Sequence, residues 1–127
     1  MNSRIFCLVI ILTSLIAPIS WASSHHPQDF LRNIQGSRQE GAKIVQHFCS
    51  SCHADPPMIS LGAPRIGHPE DWTVRIQAGF NRILQHVSEG YRAMPARGGC
   101  FECSDKQLIM AIEAILPKKV ARSNHIN

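Results

Sequence analysis

Acidic residues are scarce in this chain: nine Asp and Glu face thirteen Lys and Arg over 127 residues, a formal net charge of +4. Aromatic residues make up only 6% of the total, with a single tyrosine. That supply is lean for a chain that must build a core alone, and at this size it excludes a self-sufficient enzyme with a deep pocket. No stretch alternates apolar and polar residues for long enough to signal a strand, and no internal repeat occurs. No basic patch interleaved with aromatics points to nucleic acid, and no carboxylate pair or Ser/His/Asp arrangement points to hydrolysis. At 44% hydrophobic and 17% charged, the chain is neither disordered, collagenous nor a multi-spanning membrane protein. Its length suits one small domain. Five cysteines, an odd number, do not make a disulfide framework.

The N-terminus explains part of that oddity. Arg4 precedes a run from Ile5 to Ala17 in which 11 of 13 residues are apolar, and Pro18 ends it. Ser20-Trp21-Ala22 then offers small residues where a signal peptidase reads, so residues 1–22 are expected to be an export signal cleaved after Ala22. The run falls short of the ~18–20 apolar residues that span a bilayer, which leaves an uncleaved membrane anchor as the alternative. Cleavage removes Cys7 and leaves 105 residues with four cysteines, Cys49, Cys52, Cys100 and Cys103.

Three helical stretches are expected in the remainder. Residues 23–36 begin polar and read as a flexible segment, with at most one turn around Phe30, Leu31 and Ile34. Ser37 with Glu40 predicts a capping box, followed by Ala42, Val45, Phe48 or Cys49, and Cys52 at helical spacing. Pro69-Glu70-Asp71 starts a second helix, whose apolar face runs from Trp72 through Ile76, Phe80, Ile83, Leu84 and Val87 to Gly90, with Gly79 as an interruption. Ser104 and Gln107 cap a third, lined by Leu108, Ala111, Ile112 and Ile115 and stopped by Pro117. Residues 118–127 form a basic tail. The expected fold is all-α, with long loops at 54–68 and 91–103.

Cys49-Ser50-Ser51-Cys52-His53 carries the chemistry. In Cys-x-x-Cys-His, two thiols add across the two vinyl groups of haem, and the next residue supplies an axial imidazole to iron. The export signal, the leading helix and the small size favour one covalently bound haem c over a Cys49–Cys52 disulfide beside an incidental histidine. A haem would also supply the apolar filler that the lean core lacks.

The distal iron ligand has several candidates. Met58 follows His53 by only five residues, too short a loop to reach the opposite haem face, and Met110 lies inside the last helix. Met94 stands in the 91–103 loop before Pro95, which restricts it to extended geometry and stiffens the loop. Met94 is therefore the expected distal ligand opposite His53, with His47, His68, His86 and His125 as alternative imidazoles. A His/Met pair raises the haem potential relative to His/His.

Gly41-x-x-x-Val45-x-x-x-Cys49, Cys52-His53 and a distal methionine before a closing helix resemble a class I cytochrome c. Gly62-Ala63-Pro64-Arg65, Trp72-x-x-Arg75 and Met94-Pro95-Ala96-Arg97-Gly98-Gly99-Cys100-Phe101-Glu102-Cys103-Ser104-Asp105 are most similar to the cytochrome c5 family. The resemblance covers residues 37–117, taken as the cytochrome domain. It implies three to four helices around one haem, with the N- and C-terminal helices crossing at Gly41. It also implies a Cys100–Cys103 disulfide, and a Pro64 carbonyl that accepts the His53 Nδ1 proton. A redox-active or zinc-binding role for Cys100 and Cys103 is the rival, but neither the surrounding elements nor the spacing to Cys52 suits it. Trp72 is expected beside the haem, donating its indole N–H to a propionate or packing on the ring. Asp55-Pro56-Pro57-Met58 makes the loop after His53 longer and richer in proline than the resemblance implies.

The function expected is that of a periplasmic one-electron carrier, not an enzyme, working by outer-sphere transfer through an exposed haem edge. Its partners would be redox proteins, such as membrane cytochrome complexes or terminal oxidases and reductases, with transient contact to a membrane surface left open. A monomer or weak homodimer is expected. Arg65, Arg75, Arg82, Arg92 and Arg97 are either a rim that steers an acidic partner, holders of the propionates, or a scattered solvated face. The alternative function is a haem-based enzyme subunit or gas sensor with an easily vacated sixth iron position.

Overall fold

The computed structural model describes residues 26–118. The expected export signal, His125 and the tail beyond Lys118 lie outside these residues. The helices are α1 (Pro27–Ile34), α2 (Glu40–Ile44), α3 (Ser50–His53), α4 (Pro69–Gln77), α5 (Phe80–Glu89) and α6 (Asp105–Ile115). A π-helical turn at Val45–Cys49 joins α2 to α3, and a 3-10 turn spans Ala96–Gly99. Among the described residues there is no strand, only an isolated bridge between Tyr91 and Met94, so the all-α expectation holds. No helix among them is long and apolar enough to cross a membrane.

The centre of the fold is the crossing of α2 with α6. A Cβ on Gly41 would lie 2.2 Å from the Met110 carbonyl oxygen, so only glycine permits this approach. Ile44 and Val45 from one side meet Leu108, Ala111, Ile112 and Ile115 from the other, all buried. Each large side chain so removed from water contributes about 1.5–3 kcal/mol.

The ends of α6 obey the expected chemistry. Ser104 Oγ accepts from the Gln107 N–H at 3.2 Å, and Gln107 Oε1 accepts from the Ser104 N–H at 2.9 Å. The helix stops at Ile115, before Pro117. The buried Gln107 also donates from Nε2 to Glu40 Oε1 at 3.0 Å, tying the start of α6 to the start of α2.

Three expectations are corrected. The stretch 23–36, read as flexible with at most a turn, carries α1. Pro27 opens this helix, Asp29 pairs with Arg32, and Leu31 and Ile34 are each only 5% exposed against the core. Eight residues do not hold a helix alone, so packing rather than propensity forms it. The Ser37–Glu40 capping box does not form either: the helix begins at Glu40 with no side-chain cap, and Ser37 Oγ is buried without a hydrogen-bond partner. The end of α1 explains this, because Ile34 O already takes the Ser37 N–H at 3.0 Å. Glu40 Oε2 therefore accepts from the Gly36 N–H instead, at 2.7 Å. Nor does Ala42 face inward; it is exposed, and Gly41 takes the packed side.

Gly79 does break the second helical stretch. At φ 91° it adopts a conformation that other residues rarely take, and it separates α4 from α5. Gly90 (φ 87°) ends α5 tightly against the loop beyond it, where a Cβ would meet Ala96 N at 2.9 Å and Met94 O at 3.0 Å.

Candidate functional site

The Cys-x-x-Cys-His motif sits where the π-helical turn runs into α3. Cys49 closes the turn, and Cys52 and His53 end α3. A π turn holds one more residue per hydrogen-bonded ring than an α turn, so it rotates α3 relative to the α2 face. Both cysteines are free and half-buried. Burial, helped by neighbouring Cys52, pushes the Cys49 thiol up to about 11, so it stays protonated at neutral pH.

His53 is buried, and its ring is fixed on two sides. Its Nδ1–H donates to the Pro64 carbonyl at 2.7 Å, which sets the tautomer and leaves the Nε2 lone pair for a ligand bond. Burial lowers the imidazole pKa, the Pro64 bond opposes this, and the charge of Arg75 lowers it further. The ring therefore favours the neutral form that binds metal. Trp72 stacks beside it with centroids 5.9 Å apart and 20° between planes. The Trp72 indole N–H donates to the Arg65 carbonyl at 2.8 Å. Within the chain itself that donor is taken.

The proline-rich loop after His53 is laced back onto the motif. The Ile59 N–H donates to Ser51 O at 2.8 Å, and the Ile66 N–H donates to His53 O at 2.7 Å. Arg65 holds Asp71 through Nε at 2.8 Å, Nη2 at 3.3 Å and its backbone N–H at 3.0 Å. Those bonds hold the Asp71 carboxyl well down, at about 2. His68 reaches Glu70 through Nδ1 at 2.8 Å and Asp55 through Nε2 at 2.6 Å. With a carboxylate on each nitrogen the imidazolium is favoured, and the His68 pKa is raised by Glu70 first and Asp55 second. This clamp, which sets the loop against the start of α4, was not foreseen from the sequence. Its one visible signal was the pair of acids behind Pro69. Beyond the clamp, Met58, Ile59 and Leu61 form an exposed apolar lip.

Met94 is half-buried in the second loop. Its N–H and carbonyl pair with the carbonyl and N–H of Tyr91, each at 3.0 Å, which pins the residue at the end of α5. Beyond it, Arg97 in the left-handed region (φ 57°) donates through Nη2 to the Cys103 carbonyl and to Asp105 Oδ1 at 3.0 Å. Cys100 and Cys103 are joined, with an S–S distance of 1.99 Å and Cα atoms 5.4 Å apart. The joined pair leaves no thiols for a four-cysteine site. Met58 is 89% exposed, and the Met110 backbone is pressed against Gly41. Of the alternative imidazoles, His47 stacks on Phe30, His86 stacks on Tyr91, and both nitrogens of His68 are held by carboxylates.

The donor set suits haem c. Two free thiols are spaced for two vinyl groups, and one buried imidazole has a bare Nε2 beside them. Phe48, Ile66, Ile76, Phe80, Leu84 and Val87 pack on the core yet stay only partly buried, apolar surface suited to a large flat ring.

Comparison with known proteins agrees. A family model described as cytochrome c oxidase, cbb3-type, subunit III matches residues 36–113. Cytochrome c5 of Azotobacter vinelandii is 34% identical over 79 residues, covering 61% of this chain and 92% of that protein. Cytochrome c5 of Ectopseudomonas mendocina is 36% identical over 80 residues, covering 61% and 88%. Cytochrome c-555 of Chlorobaculum tepidum is 34% identical over 76 residues, covering 57% and 68%. No solved structure gives a significant match.

Proposed function

Since the chain belongs to the class I c-type cytochromes, carries covalently bound haem c and is an electron carrier rather than an enzyme, we propose that it shuttles single electrons in the periplasm with iron held between His53 and Met94. The observation that carries this reading is the His53 geometry, with Nδ1–H tied to Pro64 and Nε2 left as the donor, directly after two free thiols.

Bound haem supplies a one-electron Fe(III)/Fe(II) couple. The chain's residues do the rest. Cys49 and Cys52 are the two thiols that would hold the haem, each through one thioether to a vinyl group. The Pro64 carbonyl keeps the proton on Nδ1, which makes Nε2 the stronger base and prevents the ring from turning. Trp72 backs the imidazole. The bridge to Tyr91 and the stiffness of Pro95 hold the Met94 thioether in place. Ligands that stay bound in both oxidation states keep reorganisation small, which favours outer-sphere transfer through the haem edge. Residues 37–117 are the cytochrome domain in this reading, and α1 adds to its core.

Export is directed by residues 1–22, and redox proteins such as membrane cytochrome complexes or terminal oxidases and reductases are the partners. N-terminal sequencing of protein from the periplasmic fraction tests cleavage after Ala22. The function is tested by cycling purified holoprotein between ferric and ferrous states while adding CO or cyanide. A reversible spectrum with slow ligand binding is expected. Rapid binding at iron would favour a haem-based enzyme subunit or gas sensor instead.

A further inference from the structure

The arginines of the described chain divide by partner. Arg32, Arg65 and Arg97 pair with Asp29, Asp71 and Asp105. Arg38, Arg75, Arg82 and Arg92 have no carboxylate partner among the described residues, and the last three line one cleft between α4, α5 and the Tyr91–Met94 bridge. Their hydrogen-bond and ring partners are neutral. Arg75 donates to the Asp71 backbone carbonyl at 2.8 Å, Arg82 donates to Gln85 Oε1 at 3.0 Å, and Arg92 lies 5.3 Å from the Tyr91 ring centroid. All nine Asp and Glu of the sequence fall between positions 29 and 113, and none lines the cleft.

The cleft is more than a charged surface. Tyr91 is 43% exposed and stacked on His86 with centroids 4.0 Å apart, and Val74 is 74% exposed at the rim. Arg and Tyr around an apolar floor are the residue types that dominate protein interfaces. Three unpaired guanidiniums attract a cluster of negative charge and speed its approach at low salt. The position also suits electron transfer. Arg75 shares α4 with Trp72, which stacks on His53, and Tyr91 is bridged to Met94.

We propose that this cleft is the docking surface for an acidic redox-partner protein, whose carboxylate cluster seats among Arg75, Arg82 and Arg92, beside Tyr91 and with Val74 at its rim. The redox character of the partner rests on the electron-carrier reading above; the acidic chemistry rests on the cleft alone. Arg65 and Arg97, grouped with these three by sequence position, are consumed internally and take no part.

The test uses ferrous holoprotein, a synthetic hexaglutamate peptide as probe, and NMR at 20 mM salt. Peptide should shift the resonances of Arg82, His86, Tyr91 and Arg92, and the shifts should vanish at high salt. An Arg82→Gln/Arg92→Gln double variant should bind it about fivefold more weakly, as expected for two rim charges. Arg38→Gln, outside the cleft, should bind as wild type. Oxidation of the double variant by anionic ferricyanide should slow, while oxidation by cationic tris(1,10-phenanthroline)cobalt(III) should not.

Four results would overturn the proposal. Equal peptide affinity in the double variant would remove the cleft from binding. Inorganic phosphate binding as tightly as peptide would make it a small-anion site. Vesicles of one part phosphatidylglycerol to three parts phosphatidylcholine binding where peptide does not would make it a membrane-facing patch. A shifted midpoint potential or haem spectrum in the double variant, without loss of peptide binding, would assign the arginines to the haem propionates. Wild-type protein that purifies without covalent haem would instead sink the electron-carrier reading, and the peptide titration would still judge the cleft.

Discussion

Replacing Gly41 by Ala puts one methyl group at the tightest point of the fold. Its Cβ would stand 2.2 Å from the Met110 carbonyl oxygen and 2.6 Å from the carbonyl carbon. Neither obstacle is the end of a flexible side chain. The α2 and α6 backbones must therefore move apart by about 1 Å to reach the shortest contacts real Cβ atoms make, loosening the layer of Ile44, Leu108 and Ile112 between them. Overpacking of this kind costs about 1–3 kcal/mol, and an obstacle made of backbone places it at the upper end. Alanine returns about 1 kcal/mol of helix propensity. The net loss is about 2 kcal/mol, or roughly 8–16 °C in Tm for a domain of this size. Thermal melts of holoprotein followed by far-UV circular dichroism give the number. Ala42→Gly, one residue along on the exposed side, is the control and should lose about 1 kcal/mol from propensity alone. A Gly41→Ala protein melting at or above the wild-type temperature would show that the helices do not cross there.

Three more predictions rest on single contacts. Gln107→Ala should destabilise by about 2–3 kcal/mol, more than the ~1 kcal/mol of Ser104→Ala, because it removes the cap and also leaves buried Glu40 Oε1 without its donor; urea titrations of the two variants compare them. Asp71, held at about 2 against an ordinary 3.8, contributes stability that is present above pH 4 and lost as the pH falls from about 4 toward 2. Wild type and Asp71→Asn should therefore converge at the acid end of that window and differ above it, as read from melts across pH. Met94→Ala should lower the midpoint potential and open iron to exogenous ligands, as followed by spectroelectrochemistry and CO titration; unchanged behaviour would remove Met94 from the ligand set.

The parts of the molecule legible in the sequence are those written by neighbouring residues. Ser104 and Gln107 lie three apart and cap α6, Gly79 breaks α4 from α5 by its own conformation, and the Cys49–His53 motif is contiguous. The parts that escaped depend on distant partners. Glu40 looked like half of a local capping box, yet its carboxylate is shared between Gly36 and Gln107, 67 residues away. Pro27 and Asp29 carry the start signals of a helix, but eight residues hold one only once the core covers Leu31 and Ile34. The π-helical turn shows only as a failed periodicity, in which Ala42 faces solvent although Val45 is buried. Five arginines looked alike along the chain. Only the fold shows that Asp71 and Asp105 neutralise two of them and that three converge.

The proposed function depends above all on Cys49 and Cys52 holding haem covalently, with His53 as the proximal iron ligand. Acid-acetone extraction of the purified protein, followed by mass spectrometry of its proteolytic peptides, reads this out. Colour should stay with the protein, and the peptide spanning Cys49 to His53 should carry the mass of one haem. Haem released into the acetone, with both thiols of that peptide free or joined to each other, would rule out covalent attachment at this motif.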